Sequence, residues 1–278
     1  MPMRWHFPKY KILSFEETIR EIIHHKKSFS RFGDGEFRLL IAERDIVFQK
    51  LSLNLREKLI EVMHSELPNL IIGIPSTLNT RKNLKKPSTV HWLNFINING
   101  KKISRHLDEN KFYGDSLISR FYMIYEDKRH VPLVINTLQK IWEKKDILII
   151  EGIYSRLGIG NDLFDNAKEI KRIICPAENA FENYDKILHA AKFYGRDKLI
   201  IIALGPTASI LAYDLAKHNY WAVDLGHVDV EYMWFVGKAK KKEPLAGKKA
   251  AEANQRHVAD LTGQEKINYE DSILEYCL

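Results

Sequence analysis

Leu199-Ile200-Ile201-Ile202-Ala203-Leu204-Gly205-Pro206-Thr207-Ala208 is an unbroken apolar hexapeptide that runs into a Gly-Pro turn. A strand covered on one face alternates apolar and polar residues, whereas a strand buried on both faces reads as a continuous apolar run. Thr207 to Asn219 then reads as a helix, with Pro206 at its entry, where the missing N–H costs little. The same unit recurs outward from this stretch. Phe29 to Phe32, Leu70 to Ile74, Ile147 to Ile150, Ile170 to Ile174 and Trp221 to Leu225 are further short apolar strands. Helical patterns lie between them, including Ser14-Phe15-Glu16-Glu17, a capping box that opens a helix to about Lys27. Ser52 to Ser65 carries Leu55, Leu59, Val62 and Met63 as an apolar stripe, and Val131 to Lys144 has Pro132 in its first turn. Asp115 to Glu126, Asp162 to Lys168 and Asn179 to Tyr194 also read as helices, and Asn79 to Asp115 as an irregular surface excursion.

Apolar strands alternating with helices predict an α/β fold: one Rossmann-like domain, its mostly parallel sheet covered by helices on both faces. The domain is expected over residues 1–236, with a basic C-terminal extension over 237–278 packed on or next to it. At 278 residues the chain is long enough to bury a sizeable core. Its two cysteines, Cys175 and Cys277, lie far apart, which argues against a disulfide framework or a cysteine zinc site. The first ten residues lack an apolar signal core, and no run reaches the length of a membrane span, so a cytoplasmic setting is expected. The net charge of +7 favours anionic partners. Lys238-Ala239-Lys240-Lys241-Lys242 and Lys248-Lys249 hold part of that excess, either as a solvated loop or as a lid or platform against an anionic ligand or acidic membrane. No aromatic-interleaved basic stripe occurs, so no specific nucleic acid is expected as a partner.

The chemistry-bearing residues fall just after the predicted strands. Arg31-Phe32 leads into Gly33-Asp34-Gly35-Glu36, two carboxylates that flanking glycines free to face one hard divalent cation. A turn followed by a solvated acid has the same composition. Ile150 leads to Arg156 and Gly158-Ile159-Gly160-Asn161, a guanidinium beside loosened backbone, suited to a diphosphate or to sugar hydroxyls. Ile174 leads to Asn179, and Leu204 to Gly205-Pro206-Thr207, where a helix start offers N–H groups and a hydroxyl to phosphate. Neither a Walker loop nor a complete dinucleotide fingerprint is present. In an extended Gly226-His227-Val228-Asp229-Val230-Glu231, the side chains of His227, Asp229 and Glu231 would share a face and supply a metal ligand and a general base. An edge strand with one wet face reads the same way. In open parallel sheets ligands lie beyond the carboxyl ends of the strands, so these clusters are expected to converge on one crevice.

Taken together and in order, Arg31-Phe32-Gly33-Asp34-Gly35-Glu36, Tyr113-Gly114-Asp115-Ser116 with Ser119-Arg120, Gly158-Ile159-Gly160-Asn161-Asp162-Leu163, Asn179-Ala180-Phe181, Leu204 to Ala208 and Gly226 to Tyr232 resemble the bacterial glycosyltransferases of the GT-D fold, formerly a domain of unknown function. The resemblance spans roughly Ser14 to Trp234. It implies a metal-dependent hexosyltransferase whose Asp-x-Glu motif, here Asp34 and Glu36, holds Mn²⁺ (or Mg²⁺) against a UDP-sugar; the reading of 226–231 adds His227 as a further candidate ligand. The implied donor is UDP-glucose, and the implied acceptor is a glycan of a surface glycoprotein or polysaccharide. Asp229 or Glu231 is inferred as the base, and homo-oligomerisation stays open. Two other classes share these residues: a metal-dependent phosphohydrolase acting on a nucleotide-sugar, and a nonenzymatic nucleotide- or RNA-binding protein.

Overall fold

The computed structural model describes residues 6–250, 253, 255 and 257–278. Among the described residues nine strands form a single sheet: β1 (Lys11–Ile12), β2 (Ser28–Arg31), β3 (Leu70–Ile74), β4 (Phe112–Asp115), β5 (Asp146–Gly152), β6 (Glu169–Cys175), β7 (Leu199–Ala203), β8 (Trp221–Asp224) and β9 (Ile273–Tyr276). Their order is β1-β4-β3-β2-β8-β7-β5-β6-β9, and every pairing is parallel. The continuous apolar strands are sandwiched as expected. Leu148, Ile150, Ile200 and Ile202 face one core layer, while Ile147, Ile149, Leu199 and Ile201 face the other. Helices α2 (Asp34–Leu40), α3 (Leu53–Met63), α4 (Lys86–Ile103), α6 (Tyr184–Tyr194) and α7 (Pro206–Lys217) contribute apolar residues to the first layer; α1 (Phe15–His24), α5 (Val131–Gln139) and α8 (Val228–Val236) contribute to the second. The last helix, α9 (Gly263–Asp271), precedes β9.

The N-terminal and C-terminal halves of the sheet meet where β2 lies beside β8, through the register pair Phe29↔Val223. Side chains lock this short seam. Ser28 Oγ donates to the Tyr220 carbonyl and accepts from Ala222 N–H, Ser30 Oγ donates to the Ser209 carbonyl, and Ser209 Oγ donates to the Arg31 carbonyl. Small hydroxylated residues here let α7 approach the backbone of β2 while satisfying its polar groups.

Four local expectations are corrected. The excursion over Asn79 to Asp115 is built mainly from the eighteen-residue helix α4 and strand β4. Its inward stripe is Trp92, Phe95, Ile96, Asn99, Gly100 and Ile103, spaced as a helix requires; Asn99 and Gly100 weaken the apolar signal without breaking the period. The helix expected over Asp115 to Glu126 is only a 3₁₀ turn over Ser116–Ser119, begun by the Asp115 side chain accepting from Leu117 N–H. Residues 162–168 form successive turns rather than a helix. Gly226 to Glu231 is not extended: His227 caps α8, so Asp229 and Glu231 point to different sides of a helix.

The extension beyond Gly237 returns to the sheet, where β9 covers β6 with a register irregularity between Arg172 and Ile173. Lys248 is 2% exposed and Lys249 N–H donates to the Tyr154 carbonyl, so these lysines are not a solvated loop. Among the described residues no helix is long and apolar enough to cross a membrane.

Candidate active site

The carboxyl ends of β2, β5, β6, β7 and β8 open into one cavity of about 920 Å³, which also reaches α4 and the turn after β4. It is lined by Arg31 and the whole Gly33-Asp34-Gly35-Glu36 turn, by Gly152 and Ser155, by Pro176 to Glu178, by Gly205 and Pro206, and by Gly226, His227 and Asp229. The ends of five strands thus converge as expected, but after β5 and β6 it is Gly152, Ser155 and Pro176 to Glu178 that line the cavity, not Arg156, Gly158, Gly160, Asn161 or Asn179; Pro75, Ser76 and Thr77, after β3, also lie outside it.

Asp34 and Glu36 occupy the first turn of α2, capped by Gly33. Glu36 reaches back so that its Oε2 accepts Gly33 N–H at 2.7 Å, fixing the turn. Asp34 points outward, its side chain 42% exposed and its Oδ2 3.2 Å from His91 Nε2. Burial lifts the Glu36 carboxyl above the usual glutamate value, against the pull of Arg31 and the Gly33 N–H, and the charge of Asp34 adds to the rise. At Asp34 burial also acts upward, but the hydrogen bond and charge of His91, with Arg120 and Arg38, outweigh it and hold the carboxyl below the usual range. Two neighbouring carboxyls are therefore pushed in opposite directions by their surroundings, a pattern common where charged ligands bind.

Glycine is required at two points of the rim. Gly205 turns β7 into α7 with φ +53°, a conformation L residues rarely adopt, and brings the start of α7 to the cavity. Gly226 has φ +42°, and a Cβ there would sit 2.1 Å from Arg31 Nη2.

Several expected site residues do other work. Phe32 is fully buried beside Phe37. Thr207 is buried next to Gln49, and Asn179 holds the 48–50 loop by accepting Lys50 N–H and donating its own N–H to the Phe48 carbonyl. Arg156 points away from the cavity; its Nη1 donates to the carbonyls of Gly247 and Ala259 and ties down the C-terminal segment. Gly158 N–H and Asn161 Nδ2 both donate to Asp229 Oδ1, at 2.7 and 2.9 Å, and Gly160, beside Glu265, is likewise outside the lining. The other Asp229 oxygen accepts from Lys248 Nζ at 2.5 Å. Glu231 is fully buried, its Oε2 accepting the N–H groups of Tyr122 and Met123. Both carboxylates inferred as bases are thus committed to holding loops, and neither is disposed to take a proton from a sugar hydroxyl.

Sequence reasoning missed His91, Trp92 and Arg44 in the lining and Asp224 beneath it, whereas Lys242 and Lys249, which also line the cavity, belong to the basic runs offered as a platform for an anionic ligand. His91 was legible only through the helical period of α4, which places it one residue before Trp92.

Among the described residues no group of three or more His, Cys, Asp and Glu side chains is disposed to hold a metal, so His227 does not complete a three-residue set with Asp34 and Glu36. Asp34 and Glu36 nevertheless both line the cavity, and a cation of the Mg²⁺ or Mn²⁺ type needs only one or two carboxylates, with substrate phosphates and water in its other positions.

This geometry has counterparts. The chain matches the model of the glycosyltransferase GT-D fold over residues 29–253. It is 35% identical over 263 residues to the glycosyltransferase GlyD of Streptococcus pneumoniae, covering 93% of this chain and 32% of that protein. It is 37% identical over 252 residues to a probable glycosyl transferase, Gly, of Streptococcus gordonii, covering 87% of this chain and 36% of the relative. The chain therefore spans about a third of the length of these curated relatives. Among solved structures, a new glycosyltransferase from Streptococcus sanguinis superposes with a TM-score of 0.91 at 35% identity, covering 96% of this chain and 99% of that one. The domain of unknown function 1792, described as having a distinct glycosyltransferase fold, matches with the same TM-score at 33% identity over 96% and 95% of the two chains. The chain belongs to the GT-D-fold family of glycosyltransferases.

Proposed function

We propose that this domain is a metal-dependent hexosyltransferase that moves a sugar, glucose in the first instance, from a UDP-sugar to a glycan of a surface glycoprotein or polysaccharide. The observation that carries the reading is the meeting of three features in one cavity: the Asp34–Glu36 turn, the Arg31 guanidinium and the glycine-opened start of α7. A cavity of about 920 Å³ lies within the range of small-molecule sites and suits a ligand as large as a nucleotide-sugar. In the transfer, the bond from the anomeric carbon to the diphosphate oxygen breaks and UDP leaves with the electron pair. A new bond forms to the acceptor oxygen, whose proton passes to a base facing the cavity.

Asp34 and Glu36 would hold the divalent cation, which supplies charge neutralisation for the departing diphosphate when bound. Arg31 would meet the same phosphates with a planar fork of donors, and the positive end of α7 favours anionic charge beside them. His91 Nε2, 3.2 Å from Asp34 Oδ2 on the cavity wall, favours the charged form of that carboxyl. Lys242 and Lys249, on the rim, add positive potential that draws an anionic donor inward.

Calorimetric titration of UDP and UDP-glucose, with and without Mn²⁺, tests this reading on the wild type and on E36Q. The expected result is metal-dependent UDP binding that E36Q loses. Absence of UDP binding under every metal condition would overturn it, and acceptor-independent release of sugar would mark the domain as a hydrolase instead.

A further inference from the structure

Asp224 ends β8 at the seam with β2, its side chain 2% exposed and outside the cavity lining. Its closest cationic group is Arg31 Nε, 3.6 Å from Oδ1. The backbone N–H groups of Gly226 and Arg31 face the carboxylate and favour its charged form, but neither oxygen has a hydrogen bond of ordinary geometry, nor does Arg31 Nε. A buried carboxylate that is not saturated by hydrogen bonds acts mainly through its charge, and here that charge lies behind a guanidinium facing the cavity.

Arg31 is restrained from three further sides. Its carbonyl accepts Ser209 Oγ, its Nη1 lies 3.4 Å from the Ser116 carbonyl, and its Nη2 occupies the space where any side chain at residue 226 would begin. With Asp224 behind, the guanidinium has one direction left in which to present donors, the cavity that it lines.

We propose that Asp224 is a positioning residue: its carboxylate holds the Arg31 guanidinium flat against Gly226 so that the fork faces the diphosphate of the donor. This rests on the UDP-sugar reading above. An arginine fork recognises phosphate through paired N–H donors at a fixed angle, so a guanidinium free to rotate retains its charge but loses the pairing.

The test is calorimetric titration of UDP, and of uridine as a ligand without phosphates, on the wild type, D224N, R31A and the double variant, all with Mn²⁺. D224N is expected to weaken UDP binding by about tenfold, on the scale of a misaligned charge-assisted pair, and to leave uridine binding unchanged. In the R31A background the same substitution should change UDP affinity less than about twofold, because its effect runs through the missing guanidinium. D224S, which removes the carboxylate from the same position with a smaller side chain, should reproduce the D224N loss and decides the matter if D224N does not fold. Wild-type-like UDP binding by D224N, or an undiminished D224N effect without Arg31, would overturn the proposal. A wild type that binds no UDP would overturn the donor reading and this proposal with it, an outcome visible before any variant is made.

Discussion

At the residue scale, function is set by how neighbours treat five carboxyl groups. Asp34 and Glu36 share a helical turn, yet His91 lowers one while burial raises the other. Both D34N and E36Q are expected to lower transfer by at least about a hundredfold, the scale of losing a cation that neutralises a leaving diphosphate, while circular dichroism and melting temperature stay near wild type. Full activity in either variant would remove the metal role. Asp229 and Glu231, by contrast, hold loops, so their loss should first appear in folding. Asp224 gives a pH signature of its own. Burial pushes its carboxyl up to about 7, with Glu36 adding to the rise and Arg31 opposing it. A carboxyl raised in the folded state keeps its proton after the unfolded chain has released it. Stability therefore falls as pH rises from the unfolded value, about 4, through about 7. The stability of D224N relative to wild type should thus increase across that window and level off above it, as read by urea denaturation of the metal-free protein. A difference that does not vary with pH would show that Asp224 is ionised throughout.

At the element scale, the site depends on α4, which carries His91 on a helix whose Trp92 and Phe95 are buried in the core layer beneath α2. Phe95 packs 6.5 Å from the Phe37 ring and under the Arg38 guanidinium, joining the helix of His91 to the helix of Asp34. F95A should cost about 3–5 kcal/mol of stability. At a temperature where the variant is still folded it should also weaken UDP binding, because the Asp34–His91 contact loses its support. Denaturant melts and titration check the two effects separately. The sequence made the strands plain because burial on both faces leaves them continuously apolar. It concealed α4, since Asn99 and Gly100 dilute the inward stripe, and it misjudged 226–231, where alternation of polar and apolar residues also fits a short helix packed on several sides. Periodicity over six residues cannot separate those states; the position of His227 as a cap after β8 does.

At the scale of the whole molecule, the C-terminal segment belongs to the architecture of the site. Lys248 runs into the core to pair with Asp229, which in turn orders Gly158 and Asn161, while Lys249 pairs with Glu178 on the cavity wall. Removing one member of a buried pair strands a charge, so K248M should destabilise by about 3–5 kcal/mol. The double variant D229N/K248M should recover much of that loss in a thermodynamic cycle, whereas additive losses would show that the pair does not act as a unit. The same reach explains why Arg156, expected at a diphosphate, instead clasps the carbonyls of Gly247 and Ala259. An arginine beside glycines is compatible with either partner, and only the path of a chain ninety residues later selects one.

The sequence by itself determined the parallel α/β class, the approximate place of most strands and the family. Both the burial of apolar runs and the order of short motifs are local properties of a one-dimensional pattern. It also determined that Asp34, Glu36, Gly205 and Gly226 stand at turns after strands, since glycine beside a strand end marks backbone that other residues resist. Which polar residues face the cavity was decided only by tertiary structure. Arg31 and Arg156 have the same side chain and comparable local settings, yet one lines the cavity above Asp224 and the other is bound to carbonyls of the C-terminal segment. A buried polar group must find partners, and those partners come from parts of the chain far away in sequence, so its role is fixed when the chain folds.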